Sequence, residues 1–359
     1  MRPAAASLTL GVSLAAMSPA PPVSAGADFT GKTVTVLVGF SAGGPVDGFA
    51  RLLASRLGVY LPGKPTVIVQ NKPGADSVVA ANYLATVAPK DGSMFLVTIA
   101  PFTNQFIDPH EVRFATEKFY WIGALNYSNT IYVNSLLGVR SPADVTTARQ
   151  QIVIGGLGQS SSRDLYMRSF LEAVGNRSYK YVKGYQGTLE VRNALFRQEV
   201  NFSTESVVAL ITDLASFVKD GSVVPLVQSG LTRQGKVVRD PALANVPTAS
   251  EAVVAVKGDG VREAVEYRGM NLVISMFALG RAIMAPPGVD PAAGAALREA
   301  FDRLDTDPEY QRGATNLNGG IKMELTDGAS AQTFAEDVAR VVKSEPNALR
   351  YLEELAQRK

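Results

Sequence analysis

The chain has 359 residues, a formal net charge of +2, one histidine and no cysteine. So small a charge, with no Lys/Arg cluster to compensate, argues against nucleic acid as a partner. The absence of thiols excludes disulfides, thiolate metal sites, cysteine nucleophiles and a lipid-modified N-terminal cysteine, so the core alone must hold a chain whose length suggests two domains.

Residues 1–25 read as an export signal rather than as part of the fold. Arg2 precedes a moderately apolar run from Ala4 to Met17, and Val23 and Ala25 supply the small residues a signal peptidase needs. The run is too short and too weak to span a bilayer, and no later stretch is apolar over a spanning length. A literal phosphate-loop match, Gly26 to Thr33, is set aside because it precedes a strand instead of joining a strand to a helix.

Thr33–Phe40 is β-branched and apolar, as a strand buried on both faces should be. A Gly-rich turn, Ser41-Ala42-Gly43-Gly44-Pro45, follows, and from about Val46 a helix places Phe49, Leu52, Leu53, Leu57, Tyr60 and Leu61 on one face. The turn leaves helix N–H groups unpaired at the end of a parallel strand, which suits an anion. It equally fits a βα unit that binds nothing. Pro65–Gln70 is a second strand, then a helix runs through Val79, Tyr83, Leu84 and Val87, and Met94–Ile99 is a third strand. Tyr120–Leu125 reads as a fourth, leading out of the domain.

Two linked patterns carry a family resemblance. Phe40-x-x-Gly43-Gly44-x-x-Asp47-x-x-Ala50-Arg51 and Val69-x-Asn71-Lys72-Pro73-Gly74-Ala75 resemble signatures of the substrate-binding proteins of tripartite tricarboxylate transporters, also called Bug receptors. Lys90-Asp91-Gly92 stands where that family has Pro-Asp-Gly.

The second half extends the likeness. After the strand Ile152–Gly155, the loop Gly156-Leu157-Gly158-Gln159-Ser160-Ser161-Ser162 opens a helix through Leu165, Phe170 and Leu171. A dinucleotide site would need a third glycine and an acid ending the next strand, and that strand, Tyr179–Val182, ends in Lys183-Gly184-Tyr185. The loop instead resembles the family's second carboxylate-gripping turn, departing from it at Ser160, where glycine is usual. Tyr185 resembles the tyrosine of a Tyr-x-Gly segment, and Val200–Glu205 reads as a strand entering a cleft loop. Val223–Gln228 is a strand whose Pro225 implies an edge or a bulge. Ala264–Leu279 is ambiguous between helix and strand, and Arg281–Ala285 is the strand that returns to the first domain. Asp290-Pro291 caps a helix with Leu297, Phe301 and Leu304 inward, and two more amphipathic helices close the chain.

Alternating strands and helices give an α/β fold class. The resemblance, covering nearly all the sequence after residue 25, implies a two-domain periplasmic-binding-protein-like fold. Each domain is a twisted, largely parallel sheet flanked by helices, with the ligand cleft between them. The expected division is 26–125 plus 280–359 against 126–279, with 250–279 left open. The implied role is a periplasmic, monomeric receptor that delivers a small organic carboxylate to the membrane subunits of a transporter, with no cofactor, metal or nucleic acid. The implied binding residues are Ser41, Ala42, Gly43, Gly44, Asp47, Ala75, Asp76, Gly158, Ser160, Ser161, Ser162, Tyr185, Thr204 and Glu205, with no arginine dedicated to the ligand. Asp47 and Arg51, four apart on the first helix, fit a mutual ion pair, and Asp47 is placed to brace the turn as well.

Other classes stay open at this level: a secreted hydrolase or lyase acting on a small carboxylate, or a ligand-sensing partner of a membrane signalling protein. Catalysis has little to work with, since His110 stands alone and no nucleophile elbow exists to pair with it. Asp76 and Glu205 break the family pattern. They point to solvent, or are neutralised by Arg163 or Lys183, or face the cleft. In the cleft they would repel a second ligand carboxylate by about 3 kcal/mol at about 5 Å and an effective dielectric near 20. Mono- or amino-carboxylates would then be preferred over di- and tricarboxylates. On the export reading, mass analysis of protein from its native host should find mature chains beginning near Gly26, and an intact Met1 on envelope protein would refute it.

Overall fold

The computed structural model describes residues 26–185, 187–233 and 236–358, so the expected export signal lies outside the described residues. The chain begins with βα units: β1 (Thr33–Val38), α1 (Pro45–Tyr60), β2 (Thr66–Asn71), α2 (Val78–Thr86), β3 (Met94–Thr98), α3 (Phe102–Ile107) and β4 (Tyr120–Asn126). A second series follows: β5 (Asn129–Asn134), β6 (Ile152–Gly156), α4 (Ser162–Val174), β7 (Tyr179–Lys183), α5 (Thr188–Phe196), β8 (Phe202–Ser206), α6 (Val207–Ile211), α7 (Ala215–Lys219) and β9 (Val223–Gln228). A small hairpin, β10 (Leu231–Arg233) and β11 (Lys236–Val238), leads to α8 (Ala249–Lys257) and α9 (Val265–Phe277). The chain then returns through β12 (Leu279–Ala285), α10 (Pro291–Asp302), α11 (Pro308–Leu317), β13 (Leu325–Asp327), α12 (Gly328–Ser344) and α13 (Pro346–Gln357).

Two principal sheets organise these elements. The first has the order β13-β4-β12-β3-β1-β2, and in it β1 to β4 share one direction while β12 and β13 oppose them. The second has the order β7-β6-β8-β5-β9, with only β5 opposed to the rest. Both are therefore largely parallel and flanked by helices, as helical crossovers between parallel strands require. We call each sheet with its helices a lobe.

Register fixes how the lobes are joined. β4 ends at Asn126 and β5 starts at Asn129, which pairs with Ser206 at the end of β8. The return path leaves β9 at Gln228, opposite Thr130, and enters β12 at Leu279, opposite Asn126. Both crossings thus connect the carboxyl-terminal edges of the two sheets. The Asn126 side chain holds the crossing by bonding both the Thr232 amide and carbonyl, at 3.2 and 2.6 Å. Arg281 covers the Tyr127 ring at 5.2 Å.

Several expectations from periodicity need correcting. In α2 the buried residues are Val78, Ala80, Ala81 and Leu84, whereas Val79 and Val87 are exposed. Small alanines let this helix lie close to the sheet, so the apolar stripe is narrower than its valines suggest. β5 was hidden because only two residues separate it from β4. α11 was passed over too; it buries only Tyr310 and Ala314, and its Leu317 is exposed. By contrast β9 is an edge strand, and the register slips between Ile131 and Tyr132 opposite Pro225, so the proline marks both edge and bulge. The ambiguous segment is the helix α9, which packs against α4 and α13 and is apolar on several faces for that reason.

Asp307 fastens α11 to α1. Its Oδ1 accepts from the Glu309 and Tyr310 amides at 2.8 and 2.9 Å, and its Oδ2 from Arg56 Nε and the Tyr60 hydroxyl, both at 2.8 Å. Burial opposes the charge, but these four donors outweigh it and hold the carboxyl at about 2. A carboxylate depressed below its unfolded value adds stability above that value and loses it as pH falls through the folded one. We expect wild type to lose about 2 kcal/mol from this group between pH 4 and pH 2. In Asp307→Asn that share of the acid limb should vanish from urea unfolding curves, and an unchanged limb would contradict the assignment.

Candidate ligand-binding crevice

In each lobe the strand order reverses at one point. The chain passes from β1 through α1 to β2 on one side, then from β2 through α2 to β3 on the other side of β1. It passes likewise from β6 through α4 to β7, then through α5 to β8 on the other side of β6. Ligands of open α/β sheets bind outside the carboxyl ends of the strands at such points. The turn after β1, Gly39–Gly44, and the turn after β6, Leu157–Ser161, start at the two reversals. Because the crossings join the carboxyl edges, both reversals open towards the same interlobe crevice.

In the first lobe Ser41, Ala42 and Gly43 are exposed, Gly43 has φ +83°, and Gly44 caps α1. Asp47, the third residue of α1, is buried and points back at the turn. Its Oδ2 accepts from the Gly43 amide at 2.9 Å and from Arg51 Nε at 2.8 Å, and its Oδ1 from Asn71 Nδ2 at 2.9 Å. The Arg51 bond, resisted by burial and aided by Gly43 and Asn71, keeps this carboxyl near 2. Asp47 therefore braces the turn from beneath. The Ser41, Ala42 and Gly44 amides donate no hydrogen bond among the described residues.

Beside this turn, Ala75, Asp76 and Ser77 are three successive left-handed residues, with φ of +46°, +50° and +76°. Each non-glycine residue held there costs on the order of 1–2 kcal/mol. Ser77 is buried and accepts a hydrogen bond from the Thr98 hydroxyl at the end of β3. It also fills the space beside Gly39, where a Cβ would come within 1.8 Å of its Oγ. The Ala75–Ser77 loop is thus wedged into the reversal between β1 and β3. Asp76 is exposed, and the protein packed around its base pushes its pKa up. No hydrogen bond or ion pair to it is present among the described residues.

The second lobe repeats the bracing with a residue that motif reading passed over. Asp164, also the third residue of its helix, is fully buried, and its Oδ2 accepts from the Leu157 and Gly158 amides at 2.7 and 2.9 Å and from the Tyr181 hydroxyl at 3.0 Å. Burial dominates here and pushes its pKa up to about 6, against the pull of Arg163, Gly158, Tyr181 and Leu157. The Ser160 hydroxyl reaches across to Asp108 Oδ2, 3.2 Å away, in the loop after α3 of the other lobe. The hydroxyls of Ser161 and Ser162 make no hydrogen bond among the described residues.

Other candidates have their side chains committed elsewhere. Thr204 is buried, with its hydroxyl donated to the Thr130 carbonyl at 2.9 Å. Glu205 is buried too, in a two-point pair with Arg192 at 3.0 and 2.6 Å. Arg192, not Arg163 or Lys183, is its counter-charge, so Glu205 does not present free negative charge to the crevice. Tyr185 is half-buried beyond β6 and donates its amide to Gly156. Arg163 donates Nη2 to the Thr204 carbonyl at 2.6 Å and to the Ser203 hydroxyl at 3.4 Å, while its Nε and Nη1 are buried without a hydrogen-bond partner.

A family model described as the tripartite tricarboxylate transporter family receptor, TctC, matches residues 50–345. A UPF0065 protein from the gbd 5′ region of Cupriavidus necator is 26% identical over 355 residues, covering 95% of this chain and 92% of that protein. Among solved structures, malate-bound MatC of Rhodopseudomonas palustris superposes with a TM-score of 0.61 at 19% identity, covering 88% of this chain and 98% of that one. An R. palustris protein with adipate gives a TM-score of 0.63 at 19% identity, covering 89% and 99%. At such identities these two likenesses bear on the fold alone.

The bracing acid of the second lobe has a pH signature. Its folded pKa lies above the unfolded one, so the folded chain holds that proton more tightly. Stability falls as pH rises from about 4 through 6, by about 3 kcal/mol in full. Asp164→Asn keeps an acceptor for the two amides and removes the charge. Its unfolding free energy should therefore decline about 2.4 kcal/mol less than wild type between pH 4 and pH 7. Equal declines would show that Asp164 does not titrate in this window.

Proposed function

Because this chain belongs to the TctC family of tripartite tricarboxylate transporter receptors, we propose that it captures a small organic carboxylate between its lobes and delivers it to the membrane subunits of such a transporter. The reading rests on one observation above all. Two Gly/Ser turns, each at the reversal point of its own sheet, offer unpartnered donors to a crevice that both chain crossings hold together.

In this reading the Ser41, Ala42 and Gly44 amides grip the carboxylate from one side, and the Ser160–Ser162 turn with the Ser161 and Ser162 hydroxyls from the other. Helix N-termini add favourable potential on both sides. The amides of Gly43, Leu157 and Gly158 are held internally, so they shape the turns and leave binding to their neighbours. Malate and adipate, the ligands named for the two R. palustris neighbours, support a carboxylate for this receptor too. The protein acts by binding and not by catalysis. It works outside the cytoplasm after removal of residues 1–25, and its lobes divide near Leu125 and Gly280. Among the described residues, no helix is long and apolar enough to cross a membrane.

A donor to a charged group contributes about 1.5–3 kcal/mol. Ser161→Ala should therefore weaken calorimetric affinity for the bound carboxylate about tenfold to a hundredfold with little change in melting temperature. Hinged receptors close on their ligand, so small-angle scattering should give a smaller radius of gyration at saturation. An unaffected affinity would remove Ser161 from the grip, and an unchanged radius would count against closure.

A further inference from the structure

Resting on that reading, we propose that the loop after α11 is the stop against which the second lobe seats when the crevice shuts, with Gly319 and Thr212 as positioning residues for the ligand. Neither belongs to the two grip turns. Together they set how closely those turns approach one another.

Two contacts across the crevice come from opposite faces of the first sheet. One is the Ser160 hydroxyl on Asp108, in the loop after α3. α3 packs through Phe102 and Ile107 on the face that carries Leu37 and Leu96. The other is Gly319 against Thr212. α11 packs through Tyr310 and Ala314, together with α1, on the face that carries Val36, Val38, Phe95 and Val97. The end of α11 lies beside the first turns of α1, since a Cβ on Gly48 would stand 3.5 Å from Leu317 Cδ1. The loop 318–321 therefore sits at the end of α1 into which the turn after β1 leads. Thr212 ends α6, the short helix that follows β8 at the carboxyl edge of the second sheet.

A Cβ added to Gly319 would lie 2.2 Å from Thr212 Cγ2, with Thr212 Cβ at 3.7 Å. One methyl group of the second lobe thus fills the space in which any other residue at 319 would carry its side chain. Both sides of the contact are fixed. Thr212 is β-branched, and its hydroxyl donates to the Val208 carbonyl at 2.9 Å, so turning the methyl aside breaks that bond. The loop is tied back on α11, with the Asn318 and Gly320 amides donating to the Ala314 and Thr315 carbonyls at 2.9 and 2.8 Å. Asn318 Nδ2 closes it by donating to the Ile321 carbonyl at 3.0 Å.

Backbone conformation does not explain the special position of Gly319. Gly319 and Gly320 are both left-handed, with φ of +66° and +90°, yet a Cβ on Gly320 would meet nothing within 4 Å. Only Gly319 is pressed by the other lobe. Carbon atoms in contact need about 3.5–4.0 Å, so a methyl at 319 would part the lobes locally by about 1.5 Å. A carboxylate shared by donors on both lobes needs each within about 3 Å, and a wedge of that size takes one set out of reach.

The test uses the full-length mature protein. Its lack of cysteine allows spin labels on Val87→Cys of the first lobe and Leu189→Cys of the second, both at exposed positions. Electron–electron resonance reads the distance between the labels, in free protein and at ligand saturation, and calorimetry with malate, adipate and benzoate reads affinity. Gly319→Ala should shift the distance in the direction opposite to ligand and weaken binding about tenfold or more. Thr212→Ser removes Cγ2 and keeps the hydroxyl, which leaves a Cβ at 319 in ordinary contact with Thr212 Cβ at 3.7 Å. The Gly319→Ala, Thr212→Ser double variant should therefore recover both distance and affinity. Gly320→Ala bears a similar left-handed strain with no neighbour and should match wild type in both. An unshifted distance in Gly319→Ala, an equal effect from Gly320→Ala, or no recovery with Thr212→Ser overturns the stop and leaves the receptor reading standing. If none of the three acids binds wild type that melts cooperatively, the carboxylate reading falls, and the distances in free protein decide on the stop.

Discussion

The crevice depends on one interaction made twice: a carboxylate at the third position of a helix reaching back to hold the turn that precedes it. Asp47 does this for the turn after β1, and Asp164 for the turn after β6. A Gly-rich turn has many conformations available, and an oxygen fixed on a helix selects one. On the proposed reading, the donors that remain are then aimed before any ligand arrives, which limits the ordering cost of binding. There is an opposing effect, since each acid puts negative charge near a helix N-terminus that the proposed function gives to an anion. The first lobe cancels it with Arg51. The second lobe uses depth, which discourages ionisation of Asp164, and the neighbouring Arg163.

The two acids therefore have opposite electrostatic character despite equivalent places in the fold. Asp47 lies close to the protein surface, covered mainly by the groups bound to it, and its bonds to Arg51, Gly43 and Asn71 prevail over burial. Asp164 has three donors on one oxygen and none on the other, deep in the lobe, and burial prevails. Position alone did not decide the ionisation. Each has three donors, and the difference lies in the charged one that Asp47 has in Arg51 and in the depth of Asp164.

Most of the fold was legible from the sequence because its strands are apolar runs bounded by Gly and Pro turns. The second-lobe bracing acid was not, although a clue existed: an acid two residues into each helix that follows a Gly-rich turn. Reading the motifs one at a time hid that parallel. Glu205 misled for a different reason. Its partner Arg192 lies on α5, thirteen positions away in sequence, and only the packing of α5 over β8 brings the two together. The strained Ala75–Ser77 loop could not be read either. Asp and Ser occupy positions where a flexible glycine would be expected, and only coordinates reveal that both adopt the left-handed conformation.

The last helix has a consequence for how the chain acquires its structure. α13 docks on α4, with Tyr351 donating to Glu172 at 3.1 Å, Arg358 pairing with the same carboxylate at 2.9 Å, and Arg168 donating to the Arg358 carbonyl at 3.1 Å. Between them lies α9, whose Phe277 ring meets Tyr166 of α4 with centroids 5.4 Å apart. One continuous apolar cluster therefore includes Leu37 and Trp121 of the first sheet together with Ile154 and Phe202 of the second. The mid-chain lobe cannot complete its core until the final residues have been delivered to it. The last helix is therefore part of the packing of the mid-chain lobe, and its removal would uncover the apolar faces of α4 and α9.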